Sequence, residues 1–323
     1  MEILFAILTV VGLAVFEIVT SVDNAVVNAD VLATMSVPAR RWFLTWGMLT
    51  SVFLIRAGLP FLIVYSLRPE LGIGGMFVSI VSADSSIAQA IESSAPPLLA
   101  AGGIFLAFLF LHWLFMEPKH YGLRGEEYIH KKGVWFYAVV SILLTLLIWY
   151  SIPVNAVIAF GAALGSSLFF ITHGFRQNAE EREKQMLSAQ KMSDWSKILY
   201  LEIIDASFSL DGVLGAFAFT LSVPLIVIGS GIGAVAVRQL TARNIESVKK
   251  YKYLKNGAMY SIGFLGSIML ANAFGLHLPE LISPLATVTI LGYFLYRSWK
   301  AVGGKGSIVF ERRYGGTPGS IAD

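Results

Sequence analysis

Cysteine is absent from the chain, which excludes disulfide staples and thiolate metal sites. Charge is scarce as well: Asp, Glu, Lys and Arg make up 14% of the residues, against about 25% in an ordinary soluble domain. That is too little to cover a water-facing globule. The N-terminus lacks the basic run and small-residue cleavage site of a signal peptide, so its apolar stretch reads as a first membrane span. HExxH and Gly-x-Gly-Asp sequences are also missing, which weighs against an intramembrane hydrolase. Neither an enzyme nor a resident cofactor is expected.

Apolar residues fill 56% of the chain, and they are gathered into runs. Stretches 96–115, 134–150, 157–171 and 257–274 each approach the length a helix needs to cross a hydrocarbon core about 30 Å thick. Breaking the sequence at polar clusters and at Gly/Pro punctuation predicts an all-α integral membrane protein of nine spans. They lie near 3–33, 40–67, 96–117, 133–151, 153–175, 197–221, 223–241, 257–276 and 279–300, with 68–95 as a loop. With alternating loops, 21 of the 24 Lys and Arg residues fall on one side. The positive-inside rule makes that side the cytoplasm and puts the N-terminus outside in a cell (inner) membrane. The net charge of +3 then follows from orientation in a lipid bilayer, and no nucleic-acid partner is called for. A second copy of the chain is an allowed partner.

Acidic residues stand where they are expensive. A charge at the centre of a spanning helix costs roughly 2.5–3.5 kcal/mol, yet span 1 contains Glu17 and Asp23, and span 6 contains Glu202, Asp205 and Asp211. The clusters match. Glu17-Ile-Val-Thr-Ser-Val-Asp23-Asn24 parallels Asp205-Ala-Ser-Phe-Ser-Leu-Asp211-Gly212, and Ser-Val-Pro follows each, at Ser36–Pro38 and Ser222–Pro224. Gly47 and Arg56 in the next span correspond to Gly229 and Arg238. The offset falls from 188 to 186 to 182 along the match, as in an old duplication with small deletions. An odd number of spans separates the two motifs, which makes an inverted-topology repeat, the architecture of secondary transporters with midplane sites. The halves are 1–117 and 197–300, with spans 4 and 5 inserted at 118–196 and a tail at 301–323 that lacks periodicity and is expected to be disordered.

The polar set offers oxygen donors for a hard divalent cation: Glu17, Asp23, Asn24, Asp205, Ser209 and Asp211, with Asn28 and Glu202 as further members. Mn²⁺, Ca²⁺ and Mg²⁺ all fit that chemistry. Arg56 and Arg238 are the candidate charge partners. On an intact helix, acids six residues apart lie about 120° apart, so joining a pair on one ion calls for unwinding. Gly212 and Gly215 permit it in span 6, whereas span 1 has no such residue at the site. The residues His112, Glu117, His120 and His173 fall at inner span ends and line either a vestibule or the interface. Trp42, Trp46, Trp113, Trp135, Trp149 and Trp299 read as interfacial belts, and Asn155 and Asn272 as helix–helix hydrogen-bonding residues.

The motif FEIVTSVDNAVV (16–27) resembles the first signature of the TerC family of membrane proteins, named for tellurium resistance and placed in the LysE transporter superfamily. The segment LEIIDASFSLDGVLGAFAFT (201–220) is similar to its second signature, although Gly212, Val213 and Leu214 depart from the Ser and Pro often found there. That family usually has about seven spans, so this chain would be a longer variant. The resemblance implies export of a divalent metal, with Mn²⁺ favoured, and casts Glu17, Asp23, Asn24, Asp205 and Asp211 as ligands. Two other readings stand beside it: a membrane scaffold for a metal or tellurite stress-resistance complex, and, more remotely, an intramembrane aspartyl hydrolase.

Overall fold

A computed structural model describes residues 2–47, 50, 58, 65, 72–75, 95–188, 193–243, 250–276, 278–279 and 281–303. Among them the chain is helical, with no strand. The elements are α1 (Glu2–Thr20), α2 (Val22–Ala33), α3 (Val37–Trp42) with a π-helical turn at Phe43–Gly47, and α4 (Ala95–Met116). Then come α5 (Glu126–His130), α6 (Trp135–Ser151), α7 (Ala156–Ser188), α8 (Asp194–Ala216), α9 (Val223–Arg243), α10 (Leu254–Ala273) and α11 (Ile282–Gly303). Three of them, over Ile3–Thr20, Ala95–Met116 and Ala156–Asn178, are long and apolar enough to cross a membrane, and Trp135–Ser151 and Val223–Gln239 are shorter apolar helices. Large apolar side chains stand exposed along α6, α7 and α11, among them Trp149, Phe160 and Tyr296. A surface of that kind is covered by lipid rather than water.

The central helix is α4, packed between α10 and α7. Glycine makes the α7 approach close enough for backbones to touch: a Cβ on Gly161 would run into the Pro97 carbonyl, and one on Gly165 into that of Ala101. This small-xxx-small spacing is how helices associate in lipid, where no hydrophobic drive distinguishes neighbour from solvent. Phe105, Phe108, Phe136 and Phe169 fill the space around the contact. Trp113 belongs to the same core and is wholly buried, so it is no belt residue. It packs on Tyr260 and carries the Lys119 ammonium 4.2 Å above its ring. The other belt tryptophans of the set are exposed as expected. Asn155 and Asn272 also differ from expectation: each accepts from a nearby backbone N–H, of Val157 and Leu278, and serves its own loop.

Both motif helices lie at the other side of this core. Helix α1 runs along α9 and touches α8, α10 and α11, while α8 touches α2, α3 and the π turn as well as α9, α4 and α7. Each Ser-Val-Pro triplet starts a helix, α3 and α9, with Pro in the first turn, where its missing N–H costs nothing. The α2–α3 corner is tied to the start of α8. Lys197 Nζ donates to the Thr34 carbonyl (3.0 Å), Ser36 Oγ to the Asp194 carboxylate, and Trp42 meets Trp195 edge-on.

Two carboxylates hold the loop after α4. Glu126 is buried, accepting from the Gly122 and Leu123 N–H groups, from Asn256 Nδ2 (3.1 Å) and from the Tyr260 hydroxyl (2.9 Å). Glu117 lies 2.8 Å from Lys255 Nζ and 3.6 Å from His112 Nδ1. Burial pushes its pKa up, but the His112 hydrogen bond and the Lys255 charge outweigh burial and hold it down at about 2.

Replacing Gly165 by Leu is expected to force α7 off α4 at a cost of about 1–3 kcal/mol. The thermal midpoint in detergent should fall, with Phe160→Leu on the exposed face of α7 unshifted as the control. Because the folded-state pKa of Glu117 lies below its ordinary 4.5, its stabilisation is complete above pH 4.5 and is lost as pH falls toward 2. Glu117→Gln should therefore flatten the acid dependence of the midpoint across that window. A variant that declines as steeply as the parent would contradict this.

Candidate functional site

The first motif helix has a one-residue irregularity between its two acids. At Ser21, between Glu17 and Asp23, the backbone departs from helical dihedrals (φ −90°, ψ 0°) and separates α1 from α2, while the Ser21 N–H still donates to the Glu17 carbonyl (3.1 Å) and the Ser21 carbonyl accepts from the Ala25 N–H (2.9 Å). No Gly or Pro marks the break. Instead the Ser21 hydroxyl donates to Glu17 Oε1 at 2.8 Å, and Thr20 Oγ1 bonds back to the Phe16 carbonyl at 2.9 Å, side-chain contacts of the kind that compete with helix propagation. The second motif behaves in the opposite way. Helix α8 continues unbroken through Asp205, Asp211, Gly212 and Gly215 to Ala216, so the unwinding anticipated at those glycines is absent. They serve close approach instead. A Cβ on Gly212 would stand 2.6 Å from Glu17 Oε2, and one on Gly233 of α9 would stand 2.6 Å from Glu17 Cβ. Glu17, 1% exposed, is seated in a niche that two helices cut for it.

Since α8 stays intact, Asp205 and Asp211 diverge by about 120° and are separated by about 9 Å along the axis. They face different neighbours. Asp211 turns toward α1 and α7. It lies within electrostatic reach of Glu17 and forms an ion pair with Arg176 of α7, both side chains being largely buried. Asp205, together with Glu202, lies within reach of Arg238 of α9. The Arg238 guanidinium also donates to the Phe43 carbonyl at the π turn and sits 5.6 Å over the Phe43 ring. Glu202 occupies the place a Cβ on Gly47 would take. The acids therefore group as Glu17 with Asp211 across α1 and α8, and as Glu202 with Asp205 one turn apart on α8, and Asp205 and Asp211 do not form the pair that the spacing suggested.

Several other members of the oxygen-donor set are placed. Ser209, 1% exposed, donates its hydroxyl to the Asp205 carbonyl at 2.7 Å. Asn28 Oδ1, Glu202 Oε1 and Asp211 Oδ1 are buried acceptor atoms with no hydrogen-bond partner among the described residues. The side chains of Asp23 and Asn24, and all of Arg56, lie outside the described part of the structure. Among the described residues no three His, Asp or Glu side chains converge as a metal cage.

Arg176 is the residue that sequence reasoning missed. It follows the apolar run of span 5 and so counts among the 21 basic residues that loop alternation puts on one side, but α7 continues to Ser188 and carries it against α8. The i, i+3 relation to His173 was its only sequence signal. His173 itself faces His112, with ring centroids 4.1 Å apart and Phe169 stacked on it. Those two histidines are packed side chains of the α4–α7 interface, continuous with Glu117. His120 is set apart from them: its backbone carbonyl accepts from Asn256 Nδ2, and burial lowers its pKa.

Comparison with known proteins adds a relative and a family. Over 105 residues the chain is 28% identical to the uncharacterized membrane protein YceF of Bacillus subtilis (strain 168). That match takes in 31% of this chain and 41% of the relative, so the chain spans under half of the length of that protein. No solved structure matches. The apolar helices and this relative agree on a membrane location. The family that matches does so over residues 22–302, from the start of α2 to the last turn of α11, and this helical membrane protein belongs to that family, the proteins of unknown function DUF475.

Proposed function

We propose that the chain is a secondary transporter that exports a hard divalent cation, Mn²⁺ before Ca²⁺ or Mg²⁺, by alternating access at the Glu17–Asp211 and Glu202–Asp205 carboxylates. The observation that carries this reading is the set of orphaned oxygens: Asn28 Oδ1, Glu202 Oε1 and Asp211 Oδ1, buried on the two motif helices without a donor among the described residues. Leaving a buried acceptor unmatched costs about 1–3 kcal/mol, and more for a charged one, and a cation is the ligand such atoms would bind. Oxygen-only donors select hard dications. Packing supports the inverted repeat at the centre of the reading: α1 rests on α9, and α8 on α3 and the π turn, so each motif helix leans on the helix that follows the other motif. The TerC-like signatures point the same way and supply the direction of export. In this reading the chain has nine spans, with its N-terminus outside and its C-terminus in the cytoplasm.

A scaffold role is favoured by one observation, the Arg176–Asp211 ion pair, which satisfies half of a carboxylate without any metal. The two readings differ in flux. Protein in liposomes holding a Mn²⁺-quenchable dye is expected to carry Mn²⁺, and Asp211→Asn and Glu17→Gln to lower the initial rate by about a hundredfold or more, as loss of an ion's carboxylate ligand should. Well-folded protein that moves no Mn²⁺, Ca²⁺ or Mg²⁺ under a proton gradient would leave the scaffold standing.

A further inference from the structure

Arg176 is an unusual neighbour for a carboxylate in a cation site. Its helix is locked to α4 through Gly161 and Gly165, so the guanidinium enters from a rigid element outside both motif halves. It meets one carboxylate oxygen, Asp211 Oδ2. The other, Oδ1, is buried with no hydrogen-bond partner among the described residues. An arginine that only held helices together would be expected to engage both oxygens in a fork. Here half of the carboxylate is left for something else. The charge on Arg176 is permanent, because a guanidinium does not deprotonate in a protein. A dication arriving at Asp211 must therefore either share the carboxylate with a like charge or displace it.

We propose, building on the transport reading above, that Arg176 is a tethered counter-cation: it neutralises Asp211 in the metal-free protein and is displaced from that carboxylate when the transported dication binds. Displacement has somewhere to lead. His173 lies one turn back on α7, within electrostatic reach of both Arg176 and Glu117, and Glu117 is itself within reach of Asp211. In this proposal the freed guanidinium turns toward Glu117, where its charge joins Lys255 and His112. Glu17 remains at Asp211, held by Ser21, as a second carboxylate for the metal. The exchange keeps a positive charge beside Asp211 in both states, so the empty carrier never has to reorient with a bare buried carboxylate. Arg176 in this role positions the site and sets its affinity without touching the transported ion.

The test is Mn²⁺ binding to the purified full-length chain in detergent, by titration calorimetry, with Mn²⁺ flux in liposomes beside it. Removing the competing charge in Arg176→Gln should tighten Mn²⁺ binding about tenfold while slowing flux, because the empty site loses its neutralising partner. Arg176→Lys should bind within about twofold of the parent at pH 7, yet gain affinity more steeply between about pH 7 and 9, since the introduced amine can shed its proton and arginine cannot. A purely structural arginine moves neither readout in these directions. If Arg176→Gln stays monodisperse and binds Mn²⁺ no more tightly than the parent, the proposal is overturned. Should it not stay monodisperse, Arg176→Lys decides, and a pH profile parallel to the parent's overturns it. Failure of the parent and of every variant to bind Mn²⁺, Ca²⁺ or Mg²⁺ would instead bring down the transport reading itself.

Discussion

A carboxylate carried into an apolar interior must find a cation or a donor, and the arrangement of α1, α8 and α9 follows from that demand. Glu17 is 1% exposed and has no lipid-facing alternative at its depth. Glycine on two neighbouring helices makes room for its side chain, and Ser21 supplies a hydroxyl at the junction of α1 and α2. Asp211 finds Arg176, and Glu202 and Asp205 find Arg238. Once those four acids are placed, the approach of α1 to α9 and of α8 to the π turn is largely set, because the acids and the glycines that admit them lie on those faces.

The remaining helices provide the rigidity that such a site needs. Helix α4 is fastened to α7 by backbone contact and to α10 by aromatic packing, and its C-terminal carbonyls at Trp113 and Leu114 are capped by Lys119. Burial brings the Lys119 ammonium down to about 8, so the cap remains charged at neutral pH. Glu126 ties the loop after α4 to α10. This body presents Arg176 to the motif helices from one side.

Much of this was legible in the residues because it rests on cost. Charge scarcity and long apolar runs identify a membrane protein before any contact is known, since no arrangement of those residues can satisfy water. The matched acids at Glu17/Asp23 and Asp205/Asp211 stood out for the same reason: evolution keeps a charge at that depth only against a penalty. Arg238, a candidate charge partner from its place in the sequence, lies within electrostatic reach of the acids of α8. Trp113 was misread as interfacial because position near a span end does not reveal which face of the helix meets lipid and which meets α10.

The sequence by itself determined the class of the protein, the helices that carry its acids and the oxygen-only chemistry available to them, since each depends on local composition and the fixed cost of charge in hydrocarbon. Tertiary structure alone decided which acid answers which. Two carboxylates six residues apart are neighbours on paper, but an intact helix turns them about 120° away from each other. Their partners then come from whichever helix packs against that face: Arg176 of α7 for Asp211, 35 residues earlier in the chain, and Arg238 of α9 for Asp205. Helix packing brings together residues that no spacing rule connects, because contact across an interface depends on crossing geometry and close-approach glycines rather than on distance along the chain.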